Sequence, residues 1–343
     1  MEFSYIYCES ADGSTAKTMP TKKPFRVLSL FDGISGGQIA LKELGIEPDE
    51  YLASEIDKTA ISQTQHNFPN TIQLGDVRDL DARKIGHIDL LIGGSPCTNF
   101  SFSGKRNGMN TLDGVEIYTL DEYLKLKAEG FQFEGQSYLF WEYMRVMNEL
   151  RETNPDIKFM LENVNMATRW KAVLDNAIGC TGVPIDSSLV SAQNRKRIYW
   201  TNISDKIEPP EDRHVNFVDI LDKNVTDPKY YKLDYFVKQL AKYGTTIVPG
   251  AVPFVQQYPR GFNNGFTYHS GKVPTLTTSS WDSNHIIVYP DGTIRKFTHN
   301  ECARLQTIPD WYEFTCSPSK EIKLLGNGWT IEVIKHILSY LKR

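Results

Sequence analysis

Four apolar segments in the first half of the chain each lead into a residue able to do chemistry. Nothing else in the sequence constrains the fold as strongly. Residues 26–31, 51–54, 88–92 and 158–161 read as buried strands, and beyond them stand Asp32, Glu55, Cys97 and Glu162. Helical patterns at 38–44, 59–66 and 139–150 separate them. Strands alternating with helices predict an α/β protein with a doubly wound, mostly parallel sheet covered on both faces. Ligands in such sheets sit beyond the carboxyl ends of the strands, where these four side chains fall.

A length of 343 residues suits one large domain carrying a smaller one. No apolar run approaches the roughly 18 residues of a membrane span, and the first residues lack a basic-then-apolar export signal. Cys8, Cys97, Cys180, Cys302 and Cys316 are scattered without a CxxC pair, so neither a disulfide framework nor a metal site is expected, and a cytoplasmic setting is. The net charge is −4, but residues 229–281 hold six basic residues, one acid and eleven aromatics, a local +5. A basic, aromatic, loop-rich region in an acidic chain suits nucleic-acid contact; a satellite domain with its own aromatic core fits the same composition. The expected division is a polar tail over 1–25, a large sheet-bearing domain over 26–204, a smaller basic and aromatic domain over 205–273, and the remainder of the large domain over 274–343. Within that last part, 285–290 and 293–297 flank Asp291-Gly292, a two-residue hairpin signal. Thr298 and Glu301 form a capping box. A final helix would align Ile331, Ile334, Leu338 and Leu341 on one face for packing.

The turn Asp32-Gly33-Ile34-Ser35-Gly36-Gly37 lets backbone approach a ligand closely, yet it is not GxGxxG and no basic residue follows to hold a pyrophosphate. Glu55 can accept hydrogen bonds from ribose hydroxyls, and Asp76 from an adenine amino group. An adenosine without phosphates fits this set, which favours S-adenosylmethionine over a dinucleotide. Each acid could equally cap a helix.

Cys97 sits in Gly93-Gly94-Ser95-Pro96-Cys97, where proline stiffens the approach and glycines clear space around the sulfur. An inert core cysteine is the alternative. No histidine accompanies it, which disfavours a hydrolase. Glu162, partly desolvated, could hold a proton for a ring nitrogen. Arg195 and Arg197 alternate along an extended segment and so share a side, either in the site or on a solvated edge.

With these residues in place, the chain from Arg26 to Leu341 resembles the DNA (cytosine-5)-methyltransferase family. The motifs run in order: Phe31-Asp32-Gly33 with Gly36 and Gly37; Glu55; Gly75-Asp76-Val77; Pro96-Cys97; Glu162-Asn163-Val164; Gln193 with Arg195 and Arg197; and Leu325-Gly326-Asn327-Gly328-Trp329. Some details look like the animal de novo branch, while the compact chain is more like a bacterial or phage enzyme. The resemblance implies methyl transfer from S-adenosylmethionine, giving S-adenosylhomocysteine, to C5 of a flipped cytosine in double-stranded DNA through a Cys97–C6 adduct. It implies Glu162 at N3, Arg197 at the O2 edge, and Arg195 supporting Glu162 or the backbone. The implied cofactor wall is Phe31, Asp32, Gly33, Ile34, Ser35, Glu55, Ile56, Asp76, Val77, Pro96, Leu139, Asn327 and Trp329. The implied DNA contacts are Ser101, Lys105, Arg106, Gln193, Arg260, Lys272 and Thr277, with Gly104–Gly108 as a basic lid. A monomer is expected, with no membrane partner; a homo-oligomer is also compatible. A tRNA methyltransferase and a catalytically silent nucleic-acid binder are the alternatives. Residues 113–134 depart from the family pattern: they lengthen the loop after Cys97 and are acidic near the expected DNA, which suggests ordering only on binding. The ending Asn327-Gly328-Trp329 also departs from the commoner form.

Overall fold

The computed structural model describes residues 24–97, 99–100, 108–244, 246–258, 265, 267–268, 271–278 and 284–341, with a short antiparallel ribbon between β1 (Tyr7–Glu9) and β2 (Thr15–Lys17). The expected contacts Ser101, Lys105, Arg106 and Arg260, and the interior of the expected lid, lie outside the described residues.

The central sheet has seven strands: β3 (Arg26–Leu30), β4 (Glu50–Ser54), β5 (Ile72–Gln73), β6 (Leu90–Gly94), β7 (Lys158–Val164), β8 (Val183–Asp186) and β10 (Lys196–Thr201). Their spatial order is β5-β4-β3-β6-β7-β10-β8. The first five are parallel, and β10 runs antiparallel to both its neighbours. The chain winds outward from β3 in both directions, the doubly wound α/β arrangement expected from the strand–helix alternation.

Alternate residues of these strands enter two separate cores. Val27, Ala53, Ile92 and Met160 pack on one face with α1 (Gly36–Glu43) and the last helix; Leu28, Leu52, Leu91 and Leu161 pack on the other with α4 (Phe140–Arg151) and α5 (Thr168–Ile178). That two-sided burial is why the strands read as unbroken apolar runs. The last helix, α9 (Ile331–Leu338), buries Ile331, Ile334 and Leu338 and lies against α1, in the core that also takes Val27. Leu341 falls beyond its end.

Residues 108–135 form a folded segment built around one helix. Helix α3 (Leu120–Ala128) starts at a capping box between Thr119 and Glu122. It is pinned to α4 by Glu142, fully buried, which accepts from the Tyr123 hydroxyl, Lys127 Nζ at 2.5 Å and Arg145 Nε at 2.7 Å. Tyr118 stacks on Trp170 of α5 with centroids 5.5 Å apart.

A second sheet orders β12-β11-β14-β15, all antiparallel: β11 (Phe254–Gln257), β12 (Thr267–Tyr268), β14 (His285–Val288) and β15 (Ile294–Lys296). Phe254, Ile286 and Val288 join Leu233, Phe236 and Leu240 in a third core, the last two from α6 (Asp234–Lys242). This sheet draws strands from both sides of residue 273. Between its halves the chain returns to the large sheet's neighbourhood, where β13 (Val273–Pro274) pairs parallel with β9 (Gln193–Asn194). The hairpin loop has three residues, not two: Tyr289 N donates to Thr293 O at 2.8 Å, and Gly292 takes φ 84°. Proline at 290 and glycine in the left-handed position suit a three-residue loop better than the tight two-residue turn. Thr298 caps α7 (His299–Leu305) as its spacing with Glu301 predicts.

Candidate active site

A cavity of about 710 Å³ runs across the carboxyl ends of five parallel strands. In strand order its wall carries Asp76 after β5, Glu55 after β4, Phe31 and Gly33 after β3, Pro96 and Cys97 after β6, and Glu162 of β7.

The turn after β3 is held in an unusual shape. Phe31, Gly33 and Ser35 take φ of 58°, 59° and 63°. Left-handed backbone at Phe and Ser costs about 1–2 kcal/mol each and persists only where the surroundings impose it. Phe31 N and Asp32 N both donate to Ser54 O, and Gly33 N donates to Glu55 Oε2 at 2.8 Å, so the end of β4 imposes it. Glu55 also accepts from Ile56 N and Asp57 N on Oε1. These three backbone donors fix its carboxylate at the wall. Ile56 is 60 % exposed there, an apolar side chain next to the Glu55 carboxylate.

Asp76 caps the short helix Val77–Asp79 and is gripped by Arg78, whose Nε lies 3.0 Å from both its oxygens. That grip holds its carboxyl below the usual range. Arg78 itself lines the cavity with Tyr138, Gln136 and Gly135, which arrive at the end of the folded 108–135 segment. At the same margin Lys323 pairs with Asp57 at 3.1 Å. None of these was singled out in the sequence; for Arg78 the spacing Asp-x-Arg was the available signal.

Asp32, Ile34 and Ser35 lie beneath the turn, buried, and do not reach the cavity wall. Asp32 accepts from the Tyr51 hydroxyl at 2.9 Å, and burial pushes its pKa up to about 6. Val77, Leu139 and Asn327 line the wall as expected from the motif positions.

Glu162 lies inside β7, two residues before its end, because β10 continues the pairing to Val164. The register sets Glu162 beside Gly94 and Tyr199, and Val164 beside Arg197. In-register residues of paired strands, and residues two apart, share a face, so Glu162 and Arg197 meet: Arg197 Nε is 3.0 Å from Glu162 Oε1. The other oxygen, Oε2, accepts from Trp329 Nε1 at 3.1 Å. Asn163 points away and ties β7 to the cysteine turn, donating to Ser95 O and Oγ.

Arg195 is buried and bonds only to backbone: Leu276 O at 3.1 Å, Gly326 O at 3.2 Å and Gly328 O at 2.7 Å. Of the two partners expected for it, Glu162 or the backbone, it takes the backbone. Burial, then repulsion from Arg197, lowers its pKa to about 9. Cys97 is half-buried on the wall, not sealed in the core. Burial and then the Glu162 charge push its thiol up, while Arg197 and Arg195 pull it down.

Two expected DNA contacts are placed elsewhere. Gln193 is fully buried, donating to Leu305 O and Gln306 Oε1 and accepting from Leu276 N. Lys272 spends its ammonium on three carbonyls, Ser188 O, Ser191 O and Val215 O. Both are satisfied by the fold because a buried polar group without partners is costly. Thr277 remains exposed.

Among the described residues no helix is long and apolar enough to cross a membrane, and no group of three His, Cys, Asp or Glu is placed to hold a metal ion.

Comparison with known proteins matches this arrangement. The model for the C-5 cytosine-specific DNA methylase family covers residues 25–172 and 188–343. Orphan methyltransferase M.SPRI of Bacillus phage SPR is 27% identical over 316 residues, covering 77% of this chain and 66% of that protein. Type II methyltransferase M.HaeII of Haemophilus aegyptius is 25% identical over 321 residues, 92% of each chain. The crystal structure of a Spodoptera frugiperda DNMT2 mutant superposes with a TM-score of 0.63 at 19% identity, over 92% of this chain and 99% of that one, a likeness of fold. The chain belongs to the C-5 cytosine-specific DNA methylase family.

Proposed function

We propose that this chain methylates C5 of cytosine in double-stranded DNA, with Cys97 as nucleophile, Glu162 at N3 and Arg197 orienting both. The observation that carries this reading is the convergence of Cys97, Glu162 and Arg197 at one end of a cavity whose other end holds Glu55 and Asp76. The lining suits S-adenosylmethionine: Glu55 would accept from ribose hydroxyls, Ile56 and Phe31 offer apolar surface, and the cations at that end, Arg78 and Lys323, are paired with Asp76 and Asp57. Bound there, S-adenosylmethionine supplies an electrophilic methyl group.

The chain's own residues prepare the other reactant. The Cys97 sulfur adds to C6 as a thiolate, pushing electrons toward C5 while Glu162 holds a proton at N3. After C5 is alkylated, loss of its proton to a base restores the double bond and expels Cys97. Burial and the Glu162 charge push the Cys97 thiol up, while Arg197 and Arg195 pull it down and so favour the thiolate that adds to C6. C6 is shielded in a stacked duplex, so the cytosine is extruded into the cavity.

The division of labour follows the sheets. The proposed catalytic part spans 26–204 and 274–343 and holds the seven-stranded sheet, and the proposed target-recognition part spans 205–273, its β11 and β12 pairing on with β14 and β15 from beyond that bound; residues 1–25 are read as a tail. The chain acts in the cytoplasm as a monomer.

The test offers labelled methyl donor with duplex DNA and, separately, with tRNA, followed by base-resolution mapping. Label at cytosine C5 in DNA is expected, and Cys97→Ser should abolish it while retaining cofactor binding. Label only in tRNA overturns the substrate, and turnover by Cys97→Ser overturns the nucleophile.

A further inference from the structure

Glu162 has two donors, one on each carboxylate oxygen, and only Arg197 comes from a strand adjoining its own. The second is Trp329, from the segment after α8 (Pro318–Asn327), on the other side of the fold's connectivity. We propose that Trp329 is a positioning residue for Glu162: its indole N–H fixes the rotation of the carboxylate, so that the edge offered to the cytosine is set by the C-terminal segment. This rests on the function proposed above and assigns Trp329 a task other than cofactor contact.

The packing around the indole leaves it little freedom. A Cβ built on Gly36 would meet the ring at 3.4 Å, and one built on Gly94 would meet Nε1 at 2.8 Å and Glu162 Oε2 at 3.0 Å. Glycine at 94 is therefore what allows the indole nitrogen and the carboxylate to meet over β6. Upstream, the carbonyl of Gly328 is held by Arg195 Nη2 at 2.7 Å, so the residue preceding Trp329 is anchored to a buried guanidinium. Trp329 does not stand on the cavity wall, whereas Asn327 and Gly328 do. Two donors at opposite oxygens stop a carboxylate from turning about its last bond. Each oxygen keeps a second lone pair, so a pyrimidine edge can approach without displacing either donor.

The test uses the full chain with nitrogen-15 in the tryptophan indoles. There are six tryptophans, and the Trp329 resonance is the one missing in Trp329→Phe. Glu162→Gln should move that resonance in otherwise wild-type protein. Trp329→Phe, which keeps an aromatic ring and removes the donor, should lower kcat about tenfold, with KM for S-adenosylmethionine within about twofold of wild type. If Trp329→Phe fails to fold, Gly94→Ala serves instead: it presses on the indole nitrogen, should move the same resonance as Glu162→Gln, and should lower kcat in the same way. A resonance indifferent to Glu162→Gln overturns the proposal. So does a tenfold rise in cofactor KM with kcat intact, which would place the ring among the cofactor contacts. Inactivity of the wild type toward cytosine overturns the methyltransferase reading, and the resonance, which needs no turnover, still decides the contact.

Discussion

Gly94 and Glu162 are register partners on adjacent parallel strands, and Cys97 follows Gly94 by three residues. The separation of Cys97 and Glu162, the proposed nucleophile and acid, is thus set by the sheet itself, with one short turn added. A site carried on rigid strands needs little reorganisation when its substrate arrives.

The charges around Cys97 give a reactivity series. Glu162 raises the thiol pKa and the two arginines lower it, with burial the largest influence. At pH 8 without DNA, iodoacetamide should alkylate Cys97 more slowly than a free thiol. Glu162→Gln should speed that reaction about threefold or more, and Arg197→Leu should slow it by a similar factor. Mass spectrometry of the Cys97 peptide reads the rates; equal rates in all three proteins would show that these charges do not reach the sulfur.

Asp32 gives stability a pH dependence. Its folded pKa is about 6 against an ordinary 3.8, raised by burial. A raised acid contributes stability that is complete below about pH 4 and is lost as pH climbs through 6. The loss is at most about 3 kcal/mol. Asp32→Asn can still accept from Tyr51 and should escape that loss. Urea midpoints at pH 5 and pH 7.5 should favour the variant increasingly at the higher pH; a constant difference would mean that Asp32 is not the titrating group.

Lys272 separates two readings of a basic residue. Held by three carbonyls, Lys272→Met should cost about 2–3 kcal/mol in folding and leave the salt slope of DNA binding unchanged. A phosphate contact would instead reduce that slope by about 1 with stability untouched.

Glu142 anchors the segment after the catalytic loop. Glu142→Gln removes the anion that Lys127 and Arg145 share, while Arg145 keeps Glu149, and should cost about 1–3 kcal/mol. Tyr123→Phe should cost about 1–2 kcal/mol. Trypsin should then cut after Lys125 or Lys127 sooner than in wild type. Unchanged melting and proteolysis would remove Glu142 from this role.

The sheet was readable because strands buried on both faces are apolar throughout and turn polar only where they end. Glu55 and Cys97 could be placed from that rule; Glu162 lies inside β7, two residues before its end, and Asp76 follows a two-residue strand that is not buried. Side chains whose partners lie far along the chain were not readable. Lys272 looks like any surface lysine until Ser188, Ser191 and Val215 surround it. Trp329 and Glu162 are 167 residues apart, and no local pattern links an indole to a strand acid. The acidic excess over 113–134 suggested ordering on binding; composition does not reveal that one fully buried acid, Glu142, lies outside that stretch and gathers its tyrosine and lysine.

Val273 pairs with Gln193, just ahead of β10, so the chain rejoins the large domain on a ledge beside the last sheet strand it formed before leaving. An excursion with neighbouring ends exerts no leverage on what lies beneath it, and lengthening it adds little to the entropy of closure. Segments of other sizes and surfaces could be transplanted onto that ledge while the strand register under Cys97 and Glu162 stayed as it is.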